Sequence, residues 1–257
     1  DITQLSSGRL ELWEERAAIA QYEGLLTVEE AEMVAWECLE PWEPLEAIPQ
    51  EPSTFTLRPY QVQAVEALLA ALKAGKHPLG SLPTGSGKSA VLAELCRRLP
   101  GRILIATHRQ ELLEQNDAQL RRMMGEEVDA GIYSAGLGRR DTENRVIFGG
   151  IQSVYQRLNV LQKAGKFQYI MVDECHRVPM RNVESMYGSL FLNCPNAQRL
   201  GVTATPYRLD GGLLHEGLST WFDCMSVDIG ISTLTPTYLA PLNGVRAAKD
   251  IDLSKVR

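Results

Sequence analysis

The fold is decided by Leu82-Pro83-Thr84-Gly85-Ser86-Gly87-Lys88-Ser89, a glycine-rich stretch that precedes a predicted helix. Gly85 and Gly87 allow the backbone to curl so that successive amide N–H groups point at phosphate oxygens. The helix that begins at Lys88 adds the positive end of its dipole. Lys88 can then reach the β- and γ-phosphates, and the Ser89 hydroxyl can bind Mg²⁺. The stretch predicts a nucleoside-triphosphate site whose binding residues are Thr84, Gly85, Ser86, Gly87, Lys88 and Ser89.

A second polar segment, Asp173-Glu174-Cys175-His176, follows the apolar run Tyr169-Ile170-Met171-Val172. A short continuous apolar run is typical of a parallel strand that is buried on both faces. Because open α/β sheets bind ligands at the carboxyl ends of their strands, both carboxylates are expected to face the phosphates. Asp173 would hold Mg²⁺ through water, and Glu174 would orient and deprotonate the attacking water. The predicted catalytic residues are therefore Lys88, Asp173 and Glu174, and the predicted Mg²⁺ ligands are Ser89 and Asp173.

Leu82 stands where the general phosphate-loop pattern has its first glycine. The remaining Pro-Thr-Gly-Ser-Gly-Lys-Ser form resembles motif I of the superfamily 2 helicases, and Asp173-Glu174-Cys175-His176 resembles their DEAD/DEAH box. The resemblance covers about residues 54 to 245 and keeps the family's motif order. It implies an N-terminal RecA-like half that binds ATP and Mg²⁺, with nucleic acid as partner. DNA is favoured over RNA, but the sequence does not decide between them.

The segment Leu57-Arg58-Pro59-Tyr60-Gln61 resembles the adenine-reading element of that family. The resemblance implies that Gln61 bonds the edge of the base while Arg58 lies against it. A side-chain amide matches the donor and acceptor on the exposed edge of adenine. The alternative is an ordinary helix start with Pro59 in its first turn.

The segment Val202-Thr203-Ala204-Thr205-Pro206 resembles motif III of the same family. This resemblance implies that hydroxyl groups at a strand end link the nucleotide site to the nucleic-acid groove. Thr203 and Thr205 are then expected to bond His176 across the strand ends. The alternative for His176 is a histidine that is merely packed in the core.

Two further segments, Ala106-Thr107-His108-Arg109 and Gly150-Ile151-Gln152-Ser153, resemble those that contact a nucleic-acid backbone in the family. Each stands where a strand gives way to a helix, so backbone N–H groups and short side chains can face phosphates. The implied contacts are Thr107, His108, Arg109, Gln152 and Ser153. Alternatively, Thr107 and Ser153 simply cap helices.

The finer resemblance is to the RadD-type DNA repair helicases of bacteria and their phage relatives, carried by residues 56–61, the Asp-Glu-Cys-His box and residues 203–209. It implies an ATP-dependent helicase or translocase that couples hydrolysis to movement on DNA. Restriction-type translocases share several of these segments, so an enzyme that moves on duplex DNA without separating its strands is the first alternative. The second is a nucleotide-regulated binding module with little hydrolysis.

Helices and strands alternate from residue 54 onward, which predicts an α/β fold with a doubly wound, mainly parallel sheet. The predicted strands are 77–82, 102–106, 128–132, 146–148, 169–172 and 199–202. The predicted helices are 59–74, 88–98, 110–124, 152–164 and 182–192.

The net charge of −6 hides an asymmetry along the chain of 257 residues. Residues 11–51 contain twelve glutamates against Arg16 alone, a balance of −11, which leaves +5 for residues 52–257. A mildly basic core suits contact with a phosphate backbone, whereas the acidic leader would be repelled by it. Two short helices, 10–21 and 28–39, are predicted in this leader. Three interpretations of this leader stay open: a solvated helical hairpin, a mimic of DNA, or a docking site for a protein partner.

The five cysteines form no C-x-x-C pair, so reduced thiols and no structural metal are expected. No apolar run approaches the ~20 residues that span a bilayer, and no leader peptide opens the sequence, so the predicted location is cytoplasmic with no membrane partner. The predicted domains are an acidic helical extension and linker (1–53), a RecA-like ATP-binding domain (54–233) and the start of a linker (234–257). Because no arginine-rich motif of a second RecA-like half is found, the chain is expected to be a fragment that is poorly active alone.

Overall fold

A computed structural model describes residues 55–179, 182–208, 212–215, 220–235 and 237–239. The two helices predicted in the acidic leader and the linker predicted after residue 240 lie outside these described residues.

Helices and strands alternate along most of the described chain, as the sequence predicts. The helices are α1 (Pro59–Lys73), α2 (Lys88–Arg98), α3 (Gln110–Met124), α4 (Ile151–Leu161), α5 (Met186–Leu192) and α6 (Ile231–Leu234), with 3₁₀ turns at Gln162–Ala164 and Cys175–Arg177. The strands are β1 (Pro78–Ser81), β2 (Ile103–Thr107), β3 (Ala130–Ser134), β4 (Arg139–Arg140), β5 (Val146–Gly150), β6 (Tyr169–Asp173), β7 (Gln198–Thr203), β8 (Tyr207–Arg208), β9 (Gly212–Leu213) and β10 (Cys224–Asp228).

Eight of the strands form one sheet in the order β10-β1-β7-β6-β2-β5-β3-β4. Every neighbouring pair in it is parallel except β3 and β4. Strands β8 and β9 pair separately as a short antiparallel ribbon. The predicted α/β fold with a doubly wound, mainly parallel sheet is confirmed.

The central strands are continuous apolar runs because both of their faces are covered. In β2, Ile103 and Ile105 belong to the hydrophobic cluster that contains α1, α2 and α3. Leu104 and Ala106, which point the other way, belong to the cluster that contains α4 and α5. Fully burying one such aliphatic side chain stabilises the fold by about 1.5–3 kcal/mol, so the two-sided core dominates the stability. Because helices pack on both faces, the sheet is held in place. The ends of its strands, which carry the polar motifs, are therefore held in place as well.

The carboxyl ends of the strands lie side by side along one edge of the sheet. Ser81 at the end of β1 pairs with Thr203 at the end of β7, and Asp173 at the end of β6 pairs with Val202. On the other side of β6, Thr107 pairs with Gly150. The glycine-rich loop, the Asp-Glu pair and both predicted nucleic-acid segments therefore share this edge.

The sequence predicts the ends of α2 and α3 correctly, but it misplaces other elements. The helix predicted from residue 182 begins at Met186, because Ser185 caps it and accepts a hydrogen bond from Gly188 N at 2.9 Å. The helix predicted to reach residue 164 ends at Leu161 and continues as a 3₁₀ turn. Four strands, β4, β8, β9 and β10, were not predicted.

Among the described residues, no helix combines the length and the apolar character needed to cross a bilayer.

Candidate nucleotide site

The glycine-rich loop connects β1 to α2 in a conformation that depends on its glycines. Gly85 and Gly87 have φ values of 81° and 79°, in the left-handed region that side chains disfavour. Gly87 is also the residue from which α2 begins, so the free amide groups of the first helical turn face the loop. Around it, Thr84 is exposed, and Lys88 and Ser89 are half-buried. The structure thus gives the predicted phosphate residues the backbone of an anion-binding loop.

Gln61 holds this loop from the side of α1. Its Nε2 donates to Ser86 O at 2.9 Å, and the hydroxyl of Tyr60 donates to the same carbonyl at 2.7 Å. Its Oε1 accepts from Arg58 N at 2.9 Å, which completes a capping box at the start of α1. A Cβ on Gly87 would lie 2.6 Å from Gln61 Nε2, so a side chain there would displace the amide that holds the loop.

The segment that resembles the adenine-reading element forms an ordinary helix start, with Pro59 as the first residue of α1. Gln61 is only 3% exposed, yet an amide has two N–H donors and two lone pairs on its oxygen, of which these contacts use one each. The contact between Gln61 and a base remains a prediction. The structure adds a link between this residue and the phosphate loop.

Glu174 lies at the carboxyl end of β6 and pairs with Lys88. Lys88 Nζ lies 3.5 Å from Glu174 Oε1, and the two side chains are 10% and 26% exposed. Glu174 has φ 55°, and no other non-glycine residue of the described ranges has a positive φ. Such a conformation costs on the order of 1–2 kcal/mol and is typical of functional positions. The two predicted catalytic motifs thus meet in space.

Asp173 is held by a residue that the sequence analysis missed. Asn116 of α3 donates through Nδ2 to Asp173 Oδ2 at 2.9 Å, and Glu174 N donates to Asp173 Oδ1 at 3.0 Å. The electrostatics fix the orientation of the amide, since its oxygen would be repelled by the carboxylate. Burial raises the pKa of Asp173 above its usual value, while the hydrogen bond from Asn116 opposes that rise.

A signal for Asn116 was present in the sequence. The buried face of α3 carries Leu113, Asn116, Asp117, Leu120 and Met123, which lie at i, i+3, i+4, i+7 and i+10, the spacing of an amphipathic helix. Two polar residues on an apolar face call for partners, because a buried polar group without one is costly. One partner of Asn116 is the predicted Mg²⁺ ligand itself.

His176 connects the Asp-Glu pair to motif III, as the resemblance implies. Its Nδ1 lies 2.9 Å from Thr203 Oγ1 and 3.4 Å from Glu174 Oε2. The ring is half-buried and has these polar contacts, so His176 is not merely packed in the core, while its coupling role stays a prediction. Thr205 joins through the backbone, because its N–H donates to Thr203 Oγ1 at 3.1 Å and its carbonyl accepts from that hydroxyl at 3.2 Å. Together these contacts form a chain from Lys88 to motif III.

The predicted nucleic-acid residues lie at the ends of β2 and β5. Arg109 and Gln152 are exposed. Thr107 is buried and accepts weakly from Arg109 N at 3.4 Å, and Ser153 Oγ accepts from Ala135 N at 2.8 Å. The alternative in which Thr107 and Ser153 cap α3 and α4 is wrong, because those helices begin after Arg109 and Gly150 without a side-chain cap.

His108 follows β2 and lies near Arg177 and His176. Its ring packs edge-on against Tyr187, with centroids 5.1 Å apart. Burial lowers the pKa of His108, and the nearby Arg177 and His176 lower it further. These effects favour the neutral form of the ring.

Two solved structures align with this chain. The UvsW helicase from bacteriophage T4 aligns with a TM-score of 0.48 at 20% identity, over 63% of this chain and 57% of that one. A nuclease-deletion mutant of the Type ISP restriction-modification enzyme LlaGI, solved with a DNA substrate mimic, aligns with a TM-score of 0.51 at 19% identity, over 70% of this chain and 20% of that one. At this identity the alignment with LlaGI shows a shared α/β fold and nothing about activity.

Two comparisons of the sequence, with a curated relative and with a family model, bear on the family of this chain. "Putative helicase 22" of Sulfolobus islandicus filamentous virus (isolate Iceland/Hveragerdi) is 25% identical over 211 residues, which cover 77% of this chain. This chain spans only 36% of the length of that relative. The family model described as "Type III restriction enzyme, res subunit" matches residues 54–208. Because that match covers more than half of the chain, the protein belongs to the helicase-like family of Type III restriction enzyme res subunits.

Proposed function

We propose that this chain is the ATP-binding half of a DNA helicase or translocase that couples ATP hydrolysis to movement. The observation that carries the proposal is the Lys88–Glu174 ion pair of 3.5 Å, which joins the phosphate loop to the Asp-Glu pair across the strand ends. Family membership and the order of the motifs support it.

The proposed roles follow from the positions of the side chains. Lys88 leaves Glu174 and binds the β- and γ-phosphates, because these carry more negative charge than a single carboxylate and accept strong charge-assisted hydrogen bonds. The freed Glu174 carboxylate orients the attacking water and accepts its proton. The backbone amides that follow Gly85 and Gly87 hold the remaining phosphate oxygens.

The Mg²⁺ that accompanies ATP fits the residues at the end of β6. Asp173 offers a carboxylate that is 3% exposed, and Ser89 offers a hydroxyl at the start of α2. Oxygen donors of this kind suit Mg²⁺, which keeps several water ligands. Asn116 Oδ1 is buried and has no partner among the described residues, so it can accept a hydrogen bond from such a water. When bound, the ion neutralises charge that develops on the phosphates.

The nucleic-acid partner is proposed from the same edge of the sheet. Thr107, His108, Arg109, Gln152 and Ser153 follow strands β2 and β5, which pair with each other. The series of contacts from Glu174 through His176 to Thr203 ends at motif III. It would transmit the state of the nucleotide to the nucleic-acid groove. The DNA substrate mimic named for LlaGI favours DNA over RNA. A RadD-type role in DNA repair rests on the resemblance of the motifs alone.

The domain division is also a proposal: an acidic extension over 1–53, the ATP-binding domain over 54–233 and a linker from 234 to a second RecA-like half. An arginine from a second half is worth about 10³–10⁵ in rate in comparable phosphoryl-transfer enzymes. We therefore expect this chain alone to bind nucleotide weakly and to turn it over slowly.

Hydrolysis in the full-length protein tests the role of Glu174. Glu174→Gln should retain ATP binding and lose about 10²- to 10⁴-fold in the rate of DNA-stimulated hydrolysis, because an amide cannot accept the proton. Glu184→Gln, a change at an exposed glutamate, is the matched control and should leave the rate unchanged. Normal turnover by Glu174→Gln would exclude this residue as the general base.

The rival functions have separate tests. A restriction-type translocase should displace the third strand of a triplex without separating duplex strands, whereas a helicase should do both. The match to the restriction res-subunit family keeps this alternative open. A nucleotide-regulated binding module should show saturable DNA binding that depends on ATP but no DNA-stimulated hydrolysis. Deleting residues 1–52 should raise DNA affinity if the acidic leader competes for the groove, and leave it unchanged otherwise.

A further inference from the structure

The chain after β10 folds back onto the adenine-reading segment. Leu234 of α6 is 1% exposed and anchors the turn in the core. Its carbonyl accepts from Tyr238 N at 2.7 Å and from Leu239 N at 3.0 Å. These bonds direct both side chains toward the start of α1 and the phosphate loop, although they lie well outside the residues that the family model matches.

Tyr238 packs on the residues that are predicted to read the base. Its ring lies 5.0 Å from that of Tyr60, centroid to centroid, at an interplanar angle of 62°. The guanidinium carbon of Arg58 lies 5.3 Å from the centroid of the same ring. Tyr60 is itself buried, and its hydroxyl donates to Ser86 O in the phosphate loop. Packing against Tyr60 therefore holds the ring of Tyr238 at a fixed distance from that loop.

Leu239 continues this surface over the phosphate loop. A Cβ on Gly85 would lie 3.1 Å from Leu239 Cδ2, so the leucine covers the loop closely where Gly85 has no side chain. Tyr238 nevertheless remains 36% exposed. An aromatic ring that is fixed by two neighbours and still open to solvent can stack against a planar ligand. Stacking of a base on an aromatic side chain is sequence-tolerant, because every base has a π-face.

We propose that Tyr238 is a wall of the base pocket, which stacks on the purine of the bound nucleotide opposite the edge contacts of Gln61. The inference rests on the proposed ATP site and adds a specificity-determining residue to it. Arg58 packs on one face of the same ring and helps to hold it, as guanidinium groups do on aromatic faces, and the opposite face is the one that stacks on the base. The phosphate contacts of Lys88 and Ser89 do not depend on Tyr238.

The test compares ATP with inorganic tripolyphosphate, which has the phosphates but no base. Titration calorimetry of this chain in Mg²⁺ should show that Tyr238→Ala weakens ATP binding about tenfold, equivalent to ~1.4 kcal/mol, and leaves the tripolyphosphate affinity unchanged. Tyr238→Phe should retain both affinities. Tyr155→Ala is the control, at a tyrosine of α4 that is 43% exposed. It should change neither the ATP affinity nor the tripolyphosphate affinity.

Other outcomes overturn the inference in distinguishable ways. If Tyr238→Ala weakens both ligands equally, the tyrosine supports the loop and does not contact the base. If ATP affinity stays the same or increases, Tyr238 does not line the pocket, and an increase would mean that it occupies the place of the base. If the unmodified chain binds neither ligand, the proposed nucleotide site itself fails. Thermal unfolding of each variant identifies any loss of folding.

Discussion

Asn116 shows how one residue can set the chemistry of its neighbour. Its amide donates to Asp173 at 2.9 Å inside the core, where burial alone would favour a protonated carboxyl. The sequence identified Asp173 from its place after an apolar strand, but it could not show which residue of a distant helix faces it. That pairing depends on how α3 packs on the sheet, whereas the position of Asp173 depends only on local order along the chain.

Replacing Asn116 with leucine should weaken Mg²⁺ binding. The pKa of Asp173 should rise further, since the opposing hydrogen bond is lost, and protons then compete better with the metal as the pH falls. A hydrogen bond to a charged group is worth about 1.5–3 kcal/mol, so the Mg²⁺ concentration that half-saturates nucleotide binding should rise roughly tenfold or more. Gln115→Leu, at the exposed neighbour, should leave it unchanged. An unaltered Mg²⁺ dependence in Asn116→Leu would show that the amide does not position the carboxylate.

At the scale of elements, amphipathic helices were the most predictable part of the fold. The helices α2 and α3 begin and end where the sequence places them, because their apolar spacing and flanking residues are local signals. The strand β10 was missed because it lies at the edge of the sheet and its Cys224–Asp228 sequence mixes polar and apolar residues that are mostly half-buried. Its assignment depends on pairing with β1, which is a non-local contact.

The phosphate loop offers a prediction at the same scale. Gly87→Ala would add a left-handed alanine and a Cβ 2.6 Å from Gln61 Nε2. Backbone strain and overpacking together should lower the free energy of unfolding by roughly 2–4 kcal/mol and abolish nucleotide binding. Gly138→Ala is the matched control, since Gly138 has φ 65° and nothing within 4 Å of its Cβ position. Chemical denaturation of both variants separates the effect of backbone strain from that of overpacking against Gln61. An equal loss of unfolding free energy in the two variants would mean that the Gln61 contact does not restrain the loop.

At the scale of the whole molecule, one sheet edge brings two proposed functions together. Strands β1, β7 and β6 end in the nucleotide residues, and β2 and β5 end in the proposed nucleic-acid residues. The Asp-Glu-Cys-His segment lies between them, and His176 contacts both Glu174 and Thr203. The fold and the meeting of the two phosphate motifs were predictable, since each motif lies at a strand end. The order of the strands, which places β7 between β1 and β6, needed the structure.

The central claim is that Lys88 and its loop bind the phosphates of ATP, and titration calorimetry with ATP and Mg²⁺ tests it most directly. We predict weak but saturable binding of one ATP per chain. Lys88→Ala should reduce the affinity about ten- to a hundredfold, in line with the loss of a charge-assisted hydrogen bond. Lys76→Ala, at an exposed turn, should bind ATP like the unmodified chain. Undiminished binding by Lys88→Ala, or no binding by the unmodified chain, would contradict the account.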